Sequence, residues 1–185
     1  MPMGKVLTSD PICWFAARTR CGAELGVRDR LDRLGTEHFL PVEQLRRTRS
    51  RATYEHPLIP GLIFLRATKK QACALTNEMS LPVRYLIDPA TRTLLVVPDK
   101  QLDDFRRVLD LSEGEGGRMD QTLALGDYVR VIKGALQGVE GRVMEFHGEF
   151  YVVVELLGWY ARASVPRAWL EKIKSPSVFS GTFSA

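Results

Sequence analysis

The sequence predicts an α+β chain: an N-terminal sheet with flanking helices, followed by a small all-β barrel. Three observations carry that class. Short β-rich runs alternate with three apolar stripes at helical spacing through residues 1–110. A glycine-rich, acidic stretch then interrupts the chain at 111–122. Beyond it, residues 123–174 hold five short strand patterns with glycines at their corners and no helical stripe.

The first strand is Ile12–Thr19, aromatic and apolar, and it runs into a helix over Ala23–Leu34. Val27, Leu31 and Leu34 fall at i, i+4 and i+7 on that helix, and Gly35 ends it. Glu37–Glu43 reads as a second extended segment. Gln44–His56 is polar, carries Arg46, Arg47, Arg49 and Arg51, and shows no apolar period, so it reads as an exposed hairpin or loop. Pro57–Leu65 is a buried strand entered through a Pro60-Gly61 turn. Thr68 with Gln71 forms a capping-box pattern, opening a helix that turns Ala72, Leu75 and Met79 inward. Val83–Ile87 is a further strand, and Asp88–Thr91 turns it into Leu94–Val97. Leu102, Phe105 and Leu109 make the third helical stripe.

In the barrel region the strand patterns cover 128–133, 139–146, 149–156, 159–165 and 169–173, with a tight His147-Gly148 turn. Ser175–Ala185 is serine-rich and reads as a disordered tail. The expected domains are therefore 1–110, a flexible linker at 111–122, a barrel at 123–174 and a tail at 175–185.

Composition narrows the function classes. The 185 residues hold one mid-sized domain or two small ones, and 45% hydrophobic with 26% charged residues is ordinary for a globular protein. A net charge of +4 permits a polyanionic partner without requiring one. Cys13, Cys21 and Cys73 lack paired spacing, which argues against a disulfide framework and for a reducing cytoplasm. Met1–Asp10 has no apolar h-region and no apolar run approaches a membrane span, so neither export nor a membrane is expected. Cys13 and Cys21 have no CxxC partner. His38, His56 and His147 lie in separate segments with no nucleophile marking one as a base, and no phosphate-cradling loop occurs. The expectation is no enzyme, no metal and no cofactor.

Two motifs add a resemblance. Gly126-Asp127-Tyr128-Val129-Arg130-Val131 followed by Gly138-Val139-Glu140-Gly141-Arg142-Val143 resembles the KOW motif of small SH3-like barrels. Gly134, Gly138 and Gly141 supply the bend between the two strands. The Trp14-Phe15 pair on the first strand and the core strand Pro60-Gly61-Leu62-Ile63-Phe64, followed by a linker and a terminal KOW barrel, resemble the NusG family of transcription factors over roughly 12–174. Within that family, Pro57–Pro60, Leu81–Asp88 and Val97–Phe105 resemble the UpxY group, antiterminators of capsular polysaccharide operons.

The resemblance implies an N-terminal NusG-type antiparallel sheet, then an SH3-like barrel, in a monomer that binds elongating RNA polymerase and suppresses pausing or termination. Its polymerase-binding groove would map onto Trp14, Phe15, Leu62 and Phe64, with Ile87 at the far edge. Trp14 and Ile63 read first as sheet core, Phe64 and Leu62 as groove, and Leu62 departs from the family's usual Tyr. Arg46, Arg47, Arg49 and Arg51 would face nucleic acid, with a merely solvated loop as the alternative. Arg18, Arg20, Arg28 and Arg30 fall where relatives touch exposed non-template DNA, and nascent RNA is a second candidate strand. Cys73, Ala74 and Leu75 replace a His-Thr-Thr run that makes a gate contact in one relative, which puts that contact in doubt. On the barrel, Ala135, Leu136, Leu156 and Leu157 would be either core or a partner patch, the partner being a small-subunit ribosomal protein or Rho. Two other readings stay open: a housekeeping NusG acting with Rho, and an RNA-binding, ribosome-associated KOW protein.

Overall fold

The computed structural model describes residues 10–47, 52–112, 116–118 and 125–175. In chain order the first elements are β1 (Cys13–Arg18), α1 (Glu24–Arg33), β2 (His38–Phe39), β3 (Val42–Arg46), β4 (Thr53–Pro57), β5 (Leu62–Ala67), α2 (Lys69–Asn77), β6 (Arg84–Tyr85) and β7 (Val96–Val97). Then follow α3 (Asp99–Leu111), β8 (Gly116–Arg118), β9 (Tyr128–Val131), β10 (Glu140–Phe146), β11 (Glu149–Leu156), β12 (Trp159–Ser164) and β13 (Leu170–Lys172). The chain is mixed α+β, with a sheet-and-helix N-terminal part and a β-rich C-terminal part. Contacts divide it into two units: the described residues up to Leu40 with Pro60–Pro98, and those of Pro41–Ile59 with everything described from Asp99 onward.

The first unit is built on an antiparallel sheet ordered β2-β5-β1-β6, with β7 also pairing β1. The register sets Trp14 opposite Arg66, Phe15 opposite Leu65, Ala16 opposite Phe64 and Arg18 opposite Leu62. Because opposed residues share a face and neighbours alternate, this register decides which side chains can meet. Phe15, Ala67 and Ala72 pack together, with Cys13, Tyr85 and Leu94 against them. The Pro-Gly turn is fixed from α1: the Gly61 N–H donates to the buried carboxylate of Glu24 at 2.7 Å. The expected capping box forms, with Gln71 N–H on the Thr68 hydroxyl at 3.2 Å and Thr68 N–H on the Gln71 side-chain oxygen at 2.9 Å. Two residues expected inward are exposed instead. Leu34 is the C-cap of α1 and Met79 lies beyond the end of α2, so neither completes the helical stripe.

In the second unit β3 and β4 pair as an antiparallel ribbon that takes in most of the Gln44–His56 segment expected to be a hairpin or loop and extends past it to the Val42–Pro57 pair. The six-stranded sheet runs β13-β9-β10-β11-β12-β8, all antiparallel, so the last strand returns to the first of the KOW-like region. Each expected strand is present, with five of the ten ends shortened by one or two residues and 149–156 matched at both. Gly141 admits the close crossing of β10 and β11, since a Cβ there would sit 2.4 Å from the Val153 carbonyl oxygen. His147 and Gly148 both have positive φ, the primed geometry expected of a two-residue hairpin. A methyl at Gly148 meets nothing within 4 Å, so Gly148→Ala isolates backbone strain. It should lower the unfolding free energy by about 1–2 kcal/mol in a urea titration.

Two expectations about the middle of the chain need correcting. Gly116–Arg118, read as flexible linker, is the edge strand β8 on β12. The approach is possible because residue 116 is glycine, whose absent Cβ would fall 2.4 Å from the Tyr160 carbonyl oxygen. The rest of the linker, 113–115 and 119–122, and the tail from 176 lie outside the described residues. The second difference concerns α3, expected to close an N-terminal domain ending at 110. It packs against β11 and β12 and groups with the β-rich unit.

Candidate functional site

The five residues assigned to a polymerase groove do not form one surface. Strand alternation puts Trp14, Leu62 and Phe64 on one face of the sheet and Phe15 on the other, where it packs with Ala67 and Ala72. Trp14, Phe15 and Leu62 are buried and Phe64 has no exposed surface at all. Phe64 stacks on Phe39 with centroids 6.1 Å apart, and the Arg66 guanidinium lies 5.9 Å above the Trp14 ring. Of the five, Ile87 is the exposed one, at 50%. It bridges to Leu94 across the β6–β7 connection, close in sequence to the similarly exposed Val96. On α2, Cys73 is exposed, Ala74 half-buried and Leu75 buried.

The basic residues separate by what they already hold. Arg28 pairs with Asp29 at 3.4 Å, and Arg30 donates to the Met79 carbonyl oxygen. Arg18 and Arg20 are exposed, and Arg18 stands directly opposite Arg84. Arg46, the last residue of β3, and Arg47 just beyond it are exposed, with Arg47 5.9 Å from the centre of the Tyr54 ring, while Arg49 and Arg51 lie outside the described residues.

On the barrel, Leu136 and Leu156 are core, 3% and 0% exposed, so they do not offer the rim patch the sequence allowed. Ala135 is exposed and Leu157 half-buried, the latter at φ 51° in a second primed turn with Gly158. The 132–139 loop is held by α3. Lys100 donates to the Gly138 carbonyl oxygen at 2.8 Å, and Arg107 donates to those of Ala135 and Gln137, both at 3.0 Å. Gln101 donates to the Glu155 carbonyl oxygen at 3.0 Å. Between these sits Asp104, 3% exposed, accepting from Lys100 Nζ at 2.5 Å and from the Glu140 N–H at 3.1 Å.

Burial raises the Asp104 carboxyl above its ordinary value, outweighing the opposing hydrogen bonds from Lys100 and Glu140 and the nearby charges of Lys100 and Arg107. Burial likewise pushes the Tyr85 hydroxyl up to about 12, with Cys73 adding to it. The helical spacing of Lys100 and Asp104 was the only sequence signal for this cluster. It could not distinguish Asp104 from its exposed neighbour Asp103.

Among the described residues no helix is long and apolar enough to cross a membrane. A profile of the family described as transcription termination factor NusG matches residues 12–106. A solved structure reporting domain interaction in Thermotoga maritima NusG is similar over 89% of this chain and 98% of that one, at 20% identity and a TM-score of 0.49. No curated protein sequence matches the chain significantly. Matched by the profile over more than half its length, from before β1 into α3, the chain belongs to the NusG family, a family of transcription factors and not of enzymes.

Proposed function

We propose that this protein is a transcription elongation and antitermination factor that binds elongating RNA polymerase through its N-terminal part. The observation that carries the reading is the family match over 12–106, which spans all seven strands and both helices before α3. Ile87 and Val96, two of the exposed apolar residues of the first unit, are those from which the polymerase contact is built, since buried rings cannot be a partner's first contact. The finer reading is a specialised, operon-recruited antiterminator of the capsular polysaccharide type, whose barrel fetches a small-subunit ribosomal protein. It rests on the resemblance of Pro57–Pro60, Leu81–Asp88 and Val97–Phe105. A termination role with Rho is the second reading, favoured by the description of the matching family itself.

The test is capture of core polymerase by the immobilised full chain, followed by transcription over a terminator. Polymerase should be retained, and read-through should rise; increased termination in the presence of Rho would favour the second reading. Ile87→Asp should keep the fold and weaken capture by ~10-fold, the equivalent of about 1.4 kcal/mol. Unchanged capture by the folded variant removes Ile87 from the contact. Failure of the parent chain to retain polymerase overturns the proposal.

A further inference from the structure

We propose that the side of β12 away from β11 is a self-complementary strand-pairing edge, held closed by β8 and fitted to the same edge of a second copy of this chain. β12 pairs with β11 along all six of its residues, from Trp159 to Ser164. On its other side, among the described residues, Gly116–Arg118 cover it opposite Trp159, Tyr160 and Ala161. An open strand edge presents main-chain donors and acceptors that template another chain, and folded proteins cover or charge such edges. The one charge on β12 does not guard this edge. The Arg162 guanidinium lies 5.1 Å from the centre of the Tyr151 ring and 5.9 Å from that of Phe146, so it leans back over β11 and β10. Closure is left to β8, which is three residues long and ends in the exposed Arg118.

Glycine makes that cover fit. A Cβ at residue 116 would fall 2.4 Å from the Tyr160 carbonyl oxygen and 3.1 Å from Leu58 Cδ2, so β8 slides between the two only without one. The uncovered edge then selects its partner by its own sequence. Strand alternation sets Trp159, Ala161 and Ala163 on one face and Tyr160, Arg162 and Ser164 on the other. Two copies of β12 running antiparallel about Ala161 bring Trp159 opposite Ala163 and Tyr160 opposite Arg162. The first pair sets a large apolar side chain against a small one, and the second sets a ring against a cation. A two-fold axis makes each pair occur twice, and within β12 no like charges meet. A strand of unrelated sequence would gain the main-chain bonds without these pairs. The inference goes beyond the polymerase reading and does not depend on it.

Sedimentation velocity and amide hydrogen exchange on the full chain test it. The parent should sediment as a monomer, with protected amides within 159–161. At low concentration Gly116→Val should speed exchange within 159–161 by ~10-fold or more while 149–156 stays protected. As concentration rises, the variant should dimerise at least ~10-fold more tightly than the parent, and 159–161 should regain protection. Arg118→Pro, which takes residue 118 out of the ladder without a clash at 116, should move both readouts the same way. Adding Tyr160→Lys to Gly116→Val should restore the monomer, because like charges would then stand opposite each other. A Gly116→Val chain that stays monomeric with 159–161 unprotected overturns the proposal, as does a dimer that Tyr160→Lys leaves unchanged. Full protection of 159–161 in both folded β8 variants, or a parent that dimerises with β8 in place, also overturns it. If Gly116→Val does not fold, Arg118→Pro alone and combined with Tyr160→Lys decides by the same outcomes.

Discussion

Phe64→Ala is expected to destabilise the first unit by about 3–5 kcal/mol. The ring has no exposed surface, stacks on Phe39 at 6.1 Å and faces Ala16, itself without exposed surface. Alanine opposite alanine cannot fill the space, and the rigid β1–β5 ladder cannot close over it. Against a typical domain stability of about 5–15 kcal/mol, such a loss leaves the unit marginal at room temperature. Urea unfolding at 25 °C measures it, with Phe64→Leu as the milder control that keeps most of the volume. A loss below ~1 kcal/mol would mean that the ring is not packed, and would restore it as a groove residue. Loss of polymerase capture by Phe64→Ala, taken alone, reports unfolding and says nothing about a contact.

Asp104→Ala is expected to destabilise the β-rich unit by roughly 2–3 kcal/mol, whereas Asp104→Asn should cost far less. Alanine strips the Glu140 N–H of its buried acceptor, while asparagine keeps an oxygen there. Lys100, more than half exposed, recovers water in either variant. The acid dependence follows from the direction of the carboxyl's shift. Its folded value lies above the ordinary 3.8, so the folded chain binds this proton more tightly than the unfolded chain. The stabilisation is therefore fully present below the ordinary value and is lost as pH rises through the raised folded one. Urea midpoints of the parent measured upward from pH ~4 should carry a descending component that Asp104→Asn lacks. Identical profiles for the two proteins would show that the carboxyl is not buried as described.

The sequence carried the elements well because their signals are local. Strand alternation, the Thr68-Gln71 box and the His147-Gly148 turn depend on a few neighbouring residues, and each was found in place. The site was less legible because its decisive facts are non-local. Trp14 and Phe15 look equivalent as adjacent aromatics, yet only the register against β5 shows that they serve opposite faces. Leu136 and Leu156 at glycine-flanked turns suggest a rim, but burial depends on what packs over them. Nothing in the sequence joins Arg84 to Arg18, and only the β1–β6 register sets the two opposite each other. Gly116 misled for a related reason: glycine in an acidic stretch reads as freedom, and here it permits a close backbone crossing.

The five bonds described above from α3 to the barrel share one property: the barrel atom each uses belongs to the main chain. The carbonyls of Ala135, Gln137, Gly138 and Glu155 and the N–H of Glu140 are present whatever side chains those positions carry. Evolution can therefore rewrite the outward residues of the 132–139 loop, retuning what it recognises, without loosening the helix beneath it. Length is a different matter, because one inserted or deleted residue shifts the whole row of acceptors past Lys100, Asp104 and Arg107. Among descendants of this chain the outward positions of the loop should drift freely in letters while the loop holds constant in number, and a barrel transplanted from a relative should be spliced ahead of Asp99 only when its loop is equally long.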